Sequence, residues 1–260
     1  MIPLRILGIG LIGPGLHGWR ASIPLLKNRG DRYQPTETMI PLPTFLPANE
    51  RRRSTPTIKL ALAAAGQAVD HAAIDAGQLA TVFASSLGDM KICDMLCRAL
   101  ASHDKPVSPT QFHNSVHNAP AGYWSIATGS QQASTSLAIA GSSFPAAMLE
   151  TALQAQSTEQ PVLLVTYDHP ASFPLSASVP VAIAFAVALV IQVDNDNPTL
   201  NLDLGDGEPT ILDNPELERI RLGNPAARAL PLLQAIAEGA ASRIFIPYLN
   251  QQLILDLVAA

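Results

Sequence analysis

Residues 112–149, FHNSVHNAPAGYWSIATGSQQASTSLAIAGSSFPAAML, most constrain what this chain can fold into. The stretch opens with a polar, turn-prone run carrying two histidines and passes into a helix-like segment from Ala119. A short β-prone run follows, Thr135 to Ile139, ending on Ala140-Gly141-Ser142-Ser143 before an apolar helix expected from Pro145 to Gln154. A strand that turns sharply into a helix is where enzymes place a nucleophile, because the first helical N–H groups stabilise developing negative charge. Here the apex is Gly141. A glycine there offers no side-chain nucleophile.

Composition narrows the classes. The 260 residues suffice for one large domain or two small ones. Charged residues make up 14% and hydrophobic residues 48%. A soluble chain so poor in charge is expected to hide surface against an obligate partner. The net charge of −5 and the lack of a basic stripe argue against nucleic acid. The longest apolar run, Val179 to Ile191, is too short to span a bilayer and reads as a buried strand. Met1 to Arg5 lacks the basic start and apolar core of a signal peptide, so a cytoplasmic location is expected. Cys93 and Cys97 sit four apart on an expected helix, a poor place for a disulfide or an isolated metal site, and read as reduced packing residues.

Along the chain, Leu4 to Ile12 is a strand candidate. Gly8, Gly10 and Gly13 spell G-x-G-x-x-G, but Pro14, Gly15 and Gly18 break any helix start and Asp31 lies in a polar loop, so a dinucleotide site is not supported. Residues Gln34 to Pro56 read as a Pro-rich loop that includes Arg51-Arg52-Arg53. An Ala-rich helix is expected from Thr57 to Ala76, a strand at Thr81 to Ser86 and a helix from Met90 to Ser102. Further strands are expected at Pro161 to Tyr167 and Val181 to Val193, flanking a loop from Asp168 to Pro180. This order predicts an α/β fold: a mixed, mostly parallel sheet with helices on both faces. Beyond Asp194 an acidic, turn-rich segment leads to a helix from Asn224 to about Glu238 and two strands, Arg243 to Pro247 and Gln252 to Val258. The expected division is a domain over 1–193 and a short extension over 194–260, packed on it.

The pattern F-x-x-S-V-x-N-A-x-A-G over Phe112 to Gly122, followed by a strand, a small-residue elbow and an Ala-rich helix, resembles the N-terminal half of β-ketoacyl synthases. The initial strand ending in Gly-x-Gly and an Arg-rich segment before the first long helix fit the same family. The resemblance spans roughly Leu4 to Val193 and implies a thiolase-like half-fold. In that family the elbow reads roughly Thr-Ala-Cys-Ser-Ser and the cysteine carries the acyl chain; Gly141 stands at its position. The family's second half supplies histidines in H-G-T-x-T and G-G-H-N motifs, and neither motif occurs here. The resemblance therefore implies a subunit without catalytic residues or cofactor, similar to chain length factors of type II polyketide synthases and most like the short synthase-like proteins of aryl polyene clusters. Such a subunit pairs with an active β-ketoacyl synthase, and the acyl carrier protein docks mainly on that partner.

The resemblance assigns Phe112, His113, Ser115, Val116, His117, Asn118, Ser136 and Leu137 to the partner interface or the acyl channel. Arg51, Arg52 and Arg53 are either a solvated, internally paired run or a contact for an acidic carrier protein. His113 and His117, spaced i, i+4, would share a helical face suited to a metal, yet no third ligand is near and none is expected. Asp168-His169 reads as a turn. Two other classes stay open: an acyl-transfer enzyme using Ser142 or Ser143 with His113, His117 or His169 as base, and a homodimeric ligand-binding protein that retains only the fold.

Overall fold

The computed structural model describes residues 1–27, 33–179 and 181–258; Asp31 and Pro180 lie outside them. The central strands are apolar on both sides because helices cover both faces, which is why they read as continuous hydrophobic runs. Along β6 (Phe185–Val193), Phe185, Val187, Leu189 and Ile191 enter one core. Ala184, just before the strand, and Ala186, Ala188 and Val190 within it enter the other. β5 (Val162–Asp168) alternates in the same way, Val162 and Leu164 against Leu163, Val165 and Tyr167. A two-sided core accounts for much of the low charge content without invoking a partner.

β1 (Ile2–Gly13) carries a tiny hairpin with β2 (Leu16–His17) and lies antiparallel to β6. β3 (Ala80–Ala84) pairs in parallel with β4 (Ser134–Leu137) on one side and β5 on the other, and β5 pairs antiparallel with β6. β1, β3, β4 and β5 thus run one way and β6 alone runs against them, the mixed, mostly parallel core expected. The chain after Asp194 adds three strands to the same sheet: β7 (Leu200–Gly205), β8 (Ser242–Tyr248) and β9 (Gln251–Leu257). Among the described residues the order is β4-β3-β5-β6-β1-β7-β9-β8. β7 joins β1 only at Ile2–Leu4. Beyond that point side chains cap the freed edge: Thr199 accepts from the Ile6 N–H, His71 from Ile9 and Gln67 from Leu11.

Short helices α1 (Trp19–Lys27) and α2 (Ala48–Arg53) precede the long helix α3 (Pro56–Ala72), whose Thr55 cap accepts from the Ile58 N–H. α3 and α6 (Ala119–Thr128) cover one face. α7 (Ser143–Thr158), α8 (Pro215–Gly223), the 3-10 turn Pro225–Ala229 and α9 (Leu230–Glu238) cover the other with α1. α4 (Met90–Ala101) is peripheral, burying only Ile92, and α5 (Pro109–Asn114) is a short piece before α6. No helix among the described residues is long and apolar enough to cross a membrane.

Several elements differ from expectation. Arg51 to Arg53 lie on α2 rather than in a loop, and the early G-x-G-x-x-G ends inside a strand. α8 begins at Pro215 because Asn214 caps it, accepting from the Glu216 and Leu217 N–H groups, in a stretch with no strong apolar period. The helix expected from Asn224 starts as a 3-10 turn and becomes α-helical at Leu230.

The glycines of β1 have a packing role. A Cβ on Gly10 would sit 2.0 Å from the Ala64 carbonyl oxygen of α3, and one on Gly8 2.1 Å from that of Ala68. α3 therefore lies on the sheet closer than any side chain permits, with Ala64, Ala65 and Ala68 completing the contact. Gly10→Ala is expected to destabilise the protein by about 3 kcal/mol, the upper end for overpacking, read from the midpoint of urea unfolding. A change under about 0.5 kcal/mol would show that α3 can yield.

Candidate functional site

The elbow sits at the carboxyl end of β3 and β4, the edge of an α/β sheet where ligands usually bind. Five residues, Ala138 to Ser142, join β4 to α7. The turn closes when the Ser142 N–H donates to the Ile139 carbonyl at 3.1 Å. Gly141 takes a φ of +72°, a left-handed conformation that side-chain-bearing residues adopt at a cost. A Cβ built there meets nothing within 4 Å. The apex is thus an open, left-handed turn that carries no side chain.

Beneath the apex lies a buried polar network. The Ser143 and Ser86 hydroxyls share a hydrogen bond of 2.6 Å. Asp168 Oδ1 accepts from the Ser85 hydroxyl and from the Ser86 N–H, both at 2.8 Å. His117 Nε2 lies 2.9 Å from the Ser85 carbonyl; since a carbonyl only accepts, Nε2 carries the proton. Asn224 ties in the far side, donating to the carbonyls of Asp168 and Ile183. Asp168 is therefore no turn residue: it ends β5 and is 1% exposed. Burial pushes its carboxyl up to about 7 against the hydrogen bonds that favour the anion.

The structure brings three of the eight interface candidates to this edge. His117 reaches the end of β3, where the Ser85 N–H bonds the Leu137 carbonyl, so His117, Ser136 and Leu137 are neighbours around one strand end. Phe112 is 64% and Val116 48% exposed, an apolar pair on a charge-free surface segment. Asn118 and His113 are exposed, with the His113 ring edge-on to Tyr123, and Ser115 is half-buried, bonded to the Phe112 carbonyl. His113 and His117 do not share a helix, since α5 ends at Asn114 and α6 starts at Ala119, so the i, i+4 face does not exist. No three potential metal ligands cluster among the described residues.

Asn114 links this segment to the arginine helix: its amide donates to the Arg53 carbonyl at 2.8 Å while its oxygen accepts from the Tyr123 hydroxyl. Arg51 is spent on the Thr44 and Leu46 carbonyls, Arg53 pairs with Glu50 and Arg52 bonds Asn49. Arg52 and Arg53 are exposed. The serine alternative finds no base here. Ser143 is 1% exposed and shares its hydroxyl with Ser86, and His169 bonds the Pro170 carbonyl; no imidazole bonds either serine among the described residues. Cys93 and Cys97 are free on α4, and burial raises the Cys93 thiol.

Sequence reasoning did not single out Ser85, Ser86 or Asn114 or assign Asp168 a role. The one available signal was the small-residue end of the β3 strand; the pairing with Asp168 spans 83 positions and has no local trace.

The raised carboxyl gives a pH signature. The folded protein binds a proton at Asp168 up to about pH 7, whereas the unfolded chain releases it near 4. Stability from this group is fully present below about pH 4 and is lost as pH rises toward 7. The difference in unfolding free energy between the native protein and Asp168→Asn is expected to fall across that window; a difference flat from pH 4 to 7 would contradict the raised value.

The comparisons agree with this geometry. A search of curated proteins gives no match. Among solved structures, the chain is similar to "Ketosynthase (ApeO) in Complex with its Chain Length Factor (ApeC) from Xenorhabdus doucetiae", with a TM-score of 0.77 and 19% identity over 98% of this chain and 100% of that one. The ishigamide ketosynthase/chain length factor gives a TM-score of 0.74 at 11% identity, covering 98% and 99%. The AntDE:AntF complex, a type II polyketide ketosynthase with its acyl-carrier protein, gives 0.75 at 14%, covering both chains fully. The structural likeness, at identities this low, shows a shared ketosynthase, thiolase-like fold. The family profile "Beta-ketoacyl synthase, N-terminal domain" matches residues 27–244, most of the chain, and the protein belongs to that family.

Proposed function

We propose that this chain is the non-catalytic, chain-length-setting subunit of a heterodimeric type II polyketide synthase, working beside an active β-ketoacyl synthase in the cytoplasm on conjugated polyenes of the aryl polyene kind. The observation that carries this reading is Gly141: the apex of the strand-to-helix turn, with a φ of +72° and open space above it, offers no side-chain atom to acylate. The likeness to folds solved as ketosynthase/chain length factor complexes supports it. So do two separate features, the exposure of Phe112 and Val116 and the edge strand β4, unpaired on its outer side among the described residues.

In this reading the partner's thiolate does the chemistry and this subunit acts sterically. A growing chain can extend only as far as the side chains at the channel wall permit. Two experiments test it together. The isolated chain should form no carbon–carbon bond from acyl and malonyl thioesters, while co-expression with the neighbouring ketosynthase should give an active 1:1 complex. Phe112→Asp with Val116→Asp should weaken that complex at least tenfold while leaving the fold intact, since both side chains are exposed. In the intact complex, Val116→Trp should shorten the product. Condensation by the lone subunit, or a complex indifferent to the double charge, would end this reading.

The carrier protein is assigned mainly to the partner. This chain carries a net charge of −5, so its long-range field does not attract an acidic carrier. Arg52 and Arg53 offer a local exception. Arg52→Glu with Arg53→Glu should leave carrier affinity for the heterodimer within about twofold; a loss of tenfold or more, strongly salt-dependent, would move the docking site onto α2.

A further inference from the structure

Behind the exposed segment at Val116 and His117 lies a cavity of about 10 Å³, the size that one hydroxyl or water oxygen needs. Its lining includes Thr57, Asn114, His117, Asp89 and Tyr167. Most of these polar groups are committed elsewhere. Asn114 is bonded at both ends of its amide, and His117 Nε2 is bound to the Ser85 carbonyl. Asp89 caps α4 with Oδ1 alone, accepting from the Ile92 N–H at 3.1 Å.

That leaves two orphan atoms. Asp89 Oδ2 and the Tyr167 hydroxyl are buried and have no hydrogen-bond partner among the described residues. The residues are 8% and 0% exposed. Native proteins rarely leave such groups unmatched, because each costs about 1–3 kcal/mol when desolvated without a partner. Both residues line this one cavity, and burial, with the charges of Asp168 and Asp89, opposes ionisation of the phenol. Tyr167 therefore remains an O–H donor, and Asp89 Oδ2 offers an acceptor.

We propose that Asp89 and Tyr167 form a binding site for one hydroxyl-sized group, which donates to Asp89 Oδ2 and accepts from the Tyr167 phenol. A carbonyl could satisfy only the tyrosine and an ammonium only the aspartate; an O–H group satisfies both. Two sources share this chemistry: a solvent water, or a hydroxyl at the far end of a bound chain entering past Val116. The second source rests on the channel-wall reading above; the site itself does not.

The test uses the full chain and two substitutions that spare the fold. Tyr167→Phe deletes only the hydroxyl. Asp89→Ser keeps a helix-capping oxygen while removing the second carboxylate oxygen. Each should lower the melting temperature by about 2–4 °C, and the double variant should lose clearly less than the sum, because both atoms serve one group. An unchanged or raised melting temperature for Tyr167→Phe, the outcome when a truly unsatisfied hydroxyl is removed, overturns the site; so do strictly additive losses. With the ketosynthase present, competing starter thioesters with and without a terminal hydroxyl separate the sources. A preference for the hydroxylated starter that drops to about unity in Tyr167→Phe assigns the chain end, and no preference in the native complex, with the stability losses intact, assigns water. A native complex that makes no product would count against the channel-wall reading while leaving the stability result to decide the site.

Discussion

The close approach of α3 to β1 sets the spacing on which the rest of the molecule is built. Gly8 and Gly10 let carbonyls of α3 lie where a methyl group would stand, and the alanines of β6 keep that face shallow. A helix seated so low leaves its own polar side chains within reach of the strand. His71 and Gln67 use this to accept the N–H groups of Ile9 and Leu11, which β7 has left behind. One steric allowance thus supports the packing of a whole face and the satisfaction of an exposed sheet edge.

The opposite face is built for a different load. α7 packs Phe144, Ala147 and Met148 into the core shared with the strands and helices that follow Asp194. Its first turn is anchored by Ser143, bonded to Ser86 at the end of β3. Asp168 then ties β3 to β5 through Ser85 and Ser86. Hydrogen bonds thus tie the elbow from beneath although its apex bears no side chain.

The legible parts of the sequence were those in which one local signal had no competitor. The strands β5 and β6 announce themselves as uninterrupted apolar runs, the alanines of α3 mark a helix, expected from Thr57 and found to start at Pro56, and the sharp turn at Gly141 is written in residue type. β7 and α8 were hidden because their stretch is acidic and turn-rich, and they gain regular structure through pairing of β7 with β9 and β1 and through the Asn214 cap. The two histidines of the 112–118 stretch looked like one helical face because spacing alone cannot show a break; the chain changes direction between Asn114 and Ala119, and only His117 reaches the sheet.

What the residues by themselves determined is a strand-to-helix turn whose apex, Gly141, carries no side chain, a vacancy in the chain's own outline. Composition likewise required a large apolar core. Only the tertiary structure decided what surrounds the vacancy, because the groups involved come from distant positions. Ser85 meets Asp168, His117 meets the end of β3, and Asp89 and Tyr167 come to line one small cavity. Burial, which no linear pattern encodes, then set the proton affinity of Asp168 and left two polar atoms without a protein partner.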